Sequence, residues 1–361
     1  MFAGSRPVCP GPASVGNTHC HAHVTTDTHG NPHATTAPSG YSPRQFQTAY
    51  SLPSATAGVG QTIAIVDAYD HPNIESDLAV YSKYFGLPAC TTANGCFKKV
   101  NQTGGTKYPR ANAGWALEIA LDVEIAHALC PNCKILLVEA SSNSFANLLA
   151  AEDYARAHAT VVSNSWGGSE FASETLYDSH FKDPGTPITV SSGDSGYGAE
   201  YPASSQFVTA VGGTTLTLNS DNTRLSETVW SGSGSGCSAY EPKPSWQTDT
   251  GCSLRTVADV AAAADPSTGA AIYDSYSYNG KKGWFRVGGT SLAAPIIAAV
   301  YALAGNGGST IDASYPYAHS SSLFDVTSGT NGKCSVAYLC TGGTDYDGPT
   351  GNGAPMGVNA F

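Results

Sequence analysis

Charged residues are scarce in this sequence: Asp, Glu, Lys and Arg make up 12% of its 361 residues, about half the share in an ordinary soluble domain. Basic residues are scarcer still, 17 against 28 acidic. The formal charge of −11 excludes nucleic acid as an expected partner, because a phosphate backbone is held by Lys and Arg. No apolar run reaches the length of a bilayer span, so no membrane helix is expected. With every carboxyl neutral, as in acid, the positive groups would be those 17 Lys and Arg and 10 His, a modest self-repulsion for a chain of this length. Disorder is excluded by the 41% of residues that are hydrophobic.

What is plentiful is loop-forming: 40 Gly and 21 Pro imply long ordered loops on a core that this length can easily bury. Ten cysteines fall as near neighbours: Cys9 and Cys20, Cys90 and Cys96, Cys130 and Cys133, Cys237 and Cys252, Cys334 and Cys340. Five local disulfides are the simplest reading, although spacing alone does not fix connectivity. Such bridges persist in an oxidising compartment, so secretion is expected. Cys130-Pro-Asn-Cys133 is also the spacing of a redox pair or half a zinc site, but no second Cys-x-x-Cys completes one. The first residues lack the apolar region of a signal peptide, which suggests a mature or recombinant form. Asn101-Gln-Thr103 is a glycosylation sequon.

Residues 1–45, rich in Pro, Thr and His without hydrophobic period, read as an extended arm pinned by Cys9 and Cys20. His19, His21 and His23 surround Cys20. A zinc cluster is one reading of them and a solvated arm the preferred one, since an oxidised Cys20 cannot be a ligand. Beyond the arm, β-branched runs alternate with helical patterns. Strands are expected at 62–66, 135–138, 160–163 and 188–190, and helices near 73–85, at 112–129 and near 144–158. Alternation of this kind predicts a doubly wound, mostly parallel α/β sheet with helices on both faces and its chemistry at the carboxyl ends of the strands. Short strands follow at 213–285, then a last apolar helix from Ser291 to Gly305 and a Gly/Asp-rich tail. No internal repeat or linker is visible, so 46–361 is expected to be one domain.

The segment 114–130 is apolar nearly all round, as a buried helix should be. Glu118 and Asp122 lie about 40° apart on one face of it, while Glu124 and His127 share the opposite side. Two like charges at i,i+4 in apolar surroundings destabilise each other, so a solvated face explains the first pair poorly. A shared proton and a raised pKa, the properties of a tuned base, explain it better. Glu124 and His127 read as an i,i+3 structural pair. Gly288-Gly289-Thr290-Ser291-Leu292-Ala293-Ala294-Pro295 sets a serine at a helix start among small residues. That suits a nucleophile, although an N-cap serine is commoner in general. A nucleophilic serine needs a base, usually histidine, and no suitable histidine motif is present.

Glu118-x-x-x-Asp122-Val-Glu124, Ser163-Asn-Ser-Trp166-Gly167, Ser192-Gly193-Asp194-Ser-Gly196 and Gly289-Thr-Ser291-Leu-Ala-Ala-Pro295, in this order along the chain, resemble the sedolisin family of serine-carboxyl peptidases over about residues 42–361. The resemblance implies a subtilisin-like fold and a secreted, acid-active endopeptidase, monomeric, acting on protein or peptide substrates. Ser291 would be the nucleophile, Glu118 the general base and later acid, and Asp122 the partner that polarises it. A protonated Asp194 would donate to the oxyanion, and Asp67 and Trp166 would support the site. It also implies one structural Ca²⁺, held by the side chains of Asp325 and Asp347 and by carbonyls at Val326, Gly343 and Asp345. Asp345 stands where glycine is usual, and Cys334 and Cys340 lie inside the loop, but a carbonyl ligand survives any side chain. Family zymogens carry a long folded prodomain, whereas about 40 residues precede the catalytic domain here, so either it was removed or this member folds without one. Other readings are a tripeptidyl-peptidase of the same family, a conventional Ser/His/Asp hydrolase using Asp67, and a catalytically dead binding protein.

Overall fold

The computed structural model describes residues 3–11, 13–309 and 312–361. At its centre is one twisted sheet whose strands run in the order Arg224–Val229, Thr209–Leu218, Ile188–Ser191, Val161–Asn164, Thr62–Ala68, Lys134–Ala140 and Phe97–Asn101, with Val260–Ala263 also paired to Thr209–Leu218. Every pairing is parallel except that of Arg224–Val229, which returns antiparallel at one edge. Ile63 to Ala68 is buried on both faces, which is why its sequence reads as an unbroken apolar run and not as an alternation.

Three helices fall where the sequence suggests, at Ile74–Phe85, Ala113–Leu129 and Phe145–Arg156, and the last apolar helix is Thr290–Ala304. The strands extend one or two residues past the expected carboxyl ends, Thr62–Ala68 and Lys134–Ala140 being the longest cases. Asn112 starts its helix by accepting from the N–H groups of Gly114 and Trp115 at 3.0 and 3.2 Å. Residues 115–129 of that helix are buried throughout, and it packs directly on Thr290–Ala304. Alanines at 293, 294, 298 and 299 let the two backbones approach. The site lies between these two helices.

All five disulfides form as the spacing suggested. Cys130 and Cys133 are bonded to each other, so they offer zinc no thiolate, and Cys20 is bonded to Cys9. The arm is extended, and its stretch at 18–26 is buried or half-buried and not solvated, while Gly4–Pro7 is exposed. Its strands Gly4–Pro7 and His23–Thr26 join Lys281–Gly288 and Ala270–Tyr278 in an antiparallel sheet, and Cys20, His21, Ala22 and Val24 are buried. Its Pro/Thr/His composition gives no hydrophobic period because the strands are short and are completed by segments more than 200 residues away.

Candidate active site

Ser291 is the second residue of its helix. Gly289 before it has φ +96° and is packed so tightly that a Cβ there would fall 2.0 Å from the His21 carbonyl oxygen and 2.6 Å from Asp194 Oδ2. Only glycine fits that bend. Pro295 has no N–H to return to the carbonyl of Ser291, and that carbonyl instead accepts from Ser165 Oγ at 3.4 Å. Ser291 Oγ in turn donates to the Ser165 carbonyl at 3.2 Å. The two serines thus brace the segment Ser165-Trp166-Gly167 against the helix start. Trp166 fixes it from the far side, its indole N–H donating to the Val66 carbonyl at 2.9 Å.

Beside Ser291 stand three fully buried carboxyls, Glu118, Asp122 and Asp67. Among the described residues none of their six oxygens has a hydrogen-bond partner of good geometry, and no cation is paired with them. Burial, then repulsion from Asp122 and Asp67, pushes Glu118 well above the usual carboxyl range, while the Ser291 hydroxyl pulls the other way. Burial does the same to Asp122, opposed by the Ser165 hydroxyl. Asp67 is raised by burial, by Asp122 and by Glu139. With no cation beside them and only the hydroxyls of Ser291 and Ser165 opposing, burial and mutual repulsion favour the protonated form of these carboxyls.

Asp194 follows the buried strand Ile188–Ser191 on a turn. Its Oδ1 accepts from the N–H and hydroxyl of Thr290 at 2.7 and 2.8 Å, which ties the turn to the start of the Ser291 helix. Oδ2 is left without a hydrogen-bond partner, and the His23 ring is 3.7 Å away. Burial raises the Asp194 pKa against the opposing pull of His23 and His21. A protonated Oδ2 would therefore face the point beside Gly289 where the His21 carbonyl also lies.

That carbonyl belongs to the arm, which runs through the cleft. Cys20 pairs with Trp166 and His19 with Gly167 in antiparallel register, the His21 N–H donates to the Ser165 carbonyl at 3.2 Å, and the Ser291 N–H donates to the His21 carbonyl at 3.1 Å. The sequence reading missed His21, Ser191 and Glu200, which meet here. The one available signal was three histidines beside a pinned cysteine, and it did not say what they would touch.

Glu124 and His127 are not a pair. Glu124 Oε2 accepts from the Tyr273 N–H at 2.9 Å, and His127 Nε2 faces the Pro88 carbonyl at 2.9 Å, so each satisfies a backbone group of a different neighbour. The helix periodicity places them on one side but cannot see what packs there.

In the C-terminal loops Asp325 Oδ2 accepts from the Asp345 N–H at 3.1 Å, and Asp347 Oδ2 from the Gly343 N–H at 3.1 Å. Asp345 has φ +65°, the conformation glycine takes at no cost, and its residue is exposed. Burial raises the Asp347 pKa to about 7, and the nearby Asp325 carboxylate adds to the rise. A Cβ on Gly342 would stand 2.9 Å from the Val326 carbonyl, which places that oxygen in the same loop cluster. Asp347 Oδ1 also accepts from the N–H and hydroxyl of Thr350 at 2.9 and 2.8 Å, and two neighbouring carboxylates beside a backbone carbonyl are the hard-oxygen kind of donor that calcium takes.

A family model described as the subtilase family matches residues 101–310, more than half of the chain. Kumamolisin of Bacillus sp. (strain MN-32) is 32% identical over 365 residues, covering 89% of this chain and 63% of that protein. Sedolisin of Pseudomonas sp. (strain 101) is 30% identical over 363 residues, covering 87% of this chain and 60% of that protein. The chain thus spans about three-fifths of the length of these two relatives. Among solved structures, Pseudomonas sedolisin, a serine-carboxyl proteinase complexed with two molecules of pseudo-iodotyrostatin, superposes with a TM-score of 0.75 at 28% identity, over 89% of this chain and 96% of that one. A psychrophilic protease shares the fold at a TM-score of 0.59 and 18% identity, over 88% of this chain and 99% of that one. The chain belongs to the subtilase family, on its sedolisin branch.

Proposed function

We propose that this protein is a secreted, acid-active serine-carboxyl endopeptidase that works as a monomer on protein or peptide substrates. One observation carries the reading: the serine at the helix start is neighboured by buried carboxyls that must share protons, and among the described residues no histidine ring is hydrogen-bonded to its hydroxyl. In the proposed mechanism Ser291 Oγ turns from the Ser165 carbonyl toward Glu118 and loses its proton to it as Oγ attacks the substrate carbonyl. Asp122, itself backed by Asp67, holds the second proton of the cluster and so sets how strongly Glu118 attracts the first. The oxyanion receives hydrogen bonds from the Ser291 N–H and from protonated Asp194. Glu118 then returns its proton to the leaving amine, and water hydrolyses the ester by the same steps.

The conventional Ser/His/Asp alternative lacks support at Asp67, whose neighbours are carboxyls. The arm passes through the cleft on both sides of His21, which favours an endopeptidase over an enzyme that measures three residues from a free amino terminus. Asp325 and Asp347, with the carbonyls of Val326, Gly343 and Asp345, would hold one calcium ion, whose charge relieves their repulsion and ties the C-terminal loops together.

The test is hydrolysis of an acid-denatured protein by the parent and by Ser291→Ala. Turnover in acid that falls at least about 10³-fold in the variant is expected. Equal activity in both would remove the nucleophile, and no turnover by the folded parent would leave a binding protein.

A further inference from the structure

Four acidic side chains meet where three loops close beside the strand Trp166–Ser169. Glu170, Glu174 and Asp178 come from the stretch that follows that strand, and Glu241 comes from the loop 238–241. Glu174, Asp178 and Glu241 are buried. Hydroxyls of the turn 201–205 reach across to the first stretch: Ser204 Oγ donates to Glu174 Oε1 at 3.2 Å, and Ser205 Oγ and the Tyr201 hydroxyl donate to Asp178 Oδ1 at 2.7 and 3.4 Å. Ser238 ties in the other loop. Its Oγ donates to Glu170 Oε1 and accepts from the Glu241 N–H at 2.8 Å, while the Ala239 N–H donates to Glu170 Oε2 at 3.1 Å.

Among the described residues no ion pair includes any of these four carboxyls, and the cations on the same segments are engaged elsewhere: Arg255 with Asp259, His180 with Asp153, Lys243 with Asp249, and Lys182 over the Phe207 ring. Both Glu241 oxygens are without a hydrogen-bond donor, although the residue is fully buried and its carboxyl faces that of Asp178. Glu174 likewise faces Glu170. Two carboxylates so placed repel, and one proton between them turns the repulsion into a hydrogen bond. Burial, then Asp178, pushes Glu241 up to about 9. Burial, opposed by the Phe171 N–H and helped by Glu170, pushes Glu174 up to about 8. Asp178 is raised by burial against the pull of Ser205 and Glu241, and Tyr201, raised by burial and by these acids, stays neutral.

We infer that these four carboxyls are a proton-operated clamp, which in acid holds the stretch 172–180 to the turn 201–205 and the loop 238–241 and which releases it when the shared protons are lost. Phe171 and Phe181 fix the two ends of the stretch, their rings 5.8 and 6.1 Å from that of Tyr201, so the release is confined to the residues between them. In the closed clamp each raised group keeps its proton at pH values where the opened, solvated carboxyl has lost it. The closed form is therefore fully stabilised below the ordinary carboxyl range and loses that stabilisation as pH rises toward about 8 to 9. The stretch continues the strand whose Trp166 and Gly167 stand beside Ser291, so pH is sensed at the edge of the cleft by groups that take no part in the chemistry proposed above. The clamp works whether or not Ser291 is a nucleophile.

The test is amide hydrogen exchange, read by mass spectrometry as protection factors between about pH 5 and pH 9. It is run on the full chain carrying Ser291→Ala, so that self-digestion cannot intrude. In the stretch 172–180 the N–H groups of Tyr177 and His180 are bonded to the Glu174 and Tyr177 carbonyls at 2.8 and 3.0 Å, which gives protection to lose. That protection is expected to fall at least about tenfold over the range, the worth of one pH unit of linkage, while the central strand Lys134–Ala140 keeps its own. In Glu241→Gln and in Asp178→Asn a fixed amide N–H replaces the shared proton, and the fall should be much smaller. Protection that stays level in the Ser291→Ala chain, or that falls equally in the central strand, refutes the clamp even if neither further variant folds. A fall as large in both variants assigns the opening to other groups and overturns the inference too. Hydrolysis of a denatured protein by the parent is measured separately, so a failed clamp and a failed peptidase reading are told apart.

Discussion

Asp259 and Glu118 are both fully buried carboxyls, but their surroundings are opposite. Asp259 takes a two-pronged contact from Arg255 at 2.7 and 2.6 Å, the Ala210 N–H at 2.7 Å and the Tyr317 hydroxyl at 3.1 Å. Glu118 meets Asp122 and Asp67, and among the described residues no cation and no donor of good geometry, with the Ser291 hydroxyl opposing the rise in its pKa. In the first region the carboxyl group is fully satisfied by donors, and it ties strand to loop. In the second, burial and repulsion work against ionisation, which is unfavourable for a structural group and suitable for one that must take and return a proton. The two arrangements separate a carboxyl kept for the fold from one kept for chemistry.

The contrast breaks most visibly in activity. Glu118→Gln should lower kcat/KM about 10³-fold or more, since an amide cannot accept the serine proton. It should not cost stability. Glu118's folded pKa is raised above its unfolded value, so the folded parent retains a proton the unfolded chain has lost, and parent stability declines as pH rises from the unfolded pKa toward the folded one. Gln does not titrate, so the melting temperature of the variant relative to the parent should rise across that window, by up to about 1.4 kcal/mol per pH unit in free energy. Asp259→Asn should do the reverse. It leaves the buried Arg255 uncompensated, with an expected loss of about 3–5 kcal/mol in denaturant unfolding while the active-site groups stay in place. A Glu118→Gln variant that melts lower than the parent at all pH values would erase the distinction.

The smallest of these effects sharpens the comparison at a third carboxylate pair, Asp325 and Asp347, which on our reading is satisfied by a metal and not by arginine. Chelation should lower the melting temperature more than it lowers the rate of the folded enzyme. The linkage is about 2.7 kcal/mol at a hundredfold excess of ion over its dissociation constant. Thermal scans with and without chelator near neutral pH decide it, and coincident scans would exclude the ion.

Much of this was visible in the sequence because it is local. The alternating strands and helices are set by apolar runs and their period. Glu118 and Asp122 stand out as two acids one turn apart in an apolar helix, and the disulfides join near neighbours. Asp194 was legible only through family resemblance, since a turn aspartate has no local mark of its role. Glu124 and His127 were misread because their partners, Tyr273 and Pro88, come from other segments. The His21–Glu200 contact joins residues 179 apart, and nothing in either neighbourhood announces the other. Local chemistry is written in spacing, whereas a cleft and its occupant are written only in the folded topology.

The central claim is that protonated carboxyls, not a histidine, run this site, and the pH dependence of kcat/KM for the parent and for Asp194→Asn tests it most directly. An unperturbed aspartic acid, with a pKa of about 3.9, would have lost its proton well below neutrality. Burial raises that limit for Asp194 but does not abolish it. Once ionised, the group repels the oxyanion it is meant to hold. The parent should therefore have an acidic optimum and an alkaline limb set by Asp194 together with the coupled Glu118 and Asp122. In Asp194→Asn, whose amide donates at any pH, some activity should remain and the limb should move upward. An alkaline optimum in the parent, or a limb that stays in place in Asp194→Asn, would contradict the account.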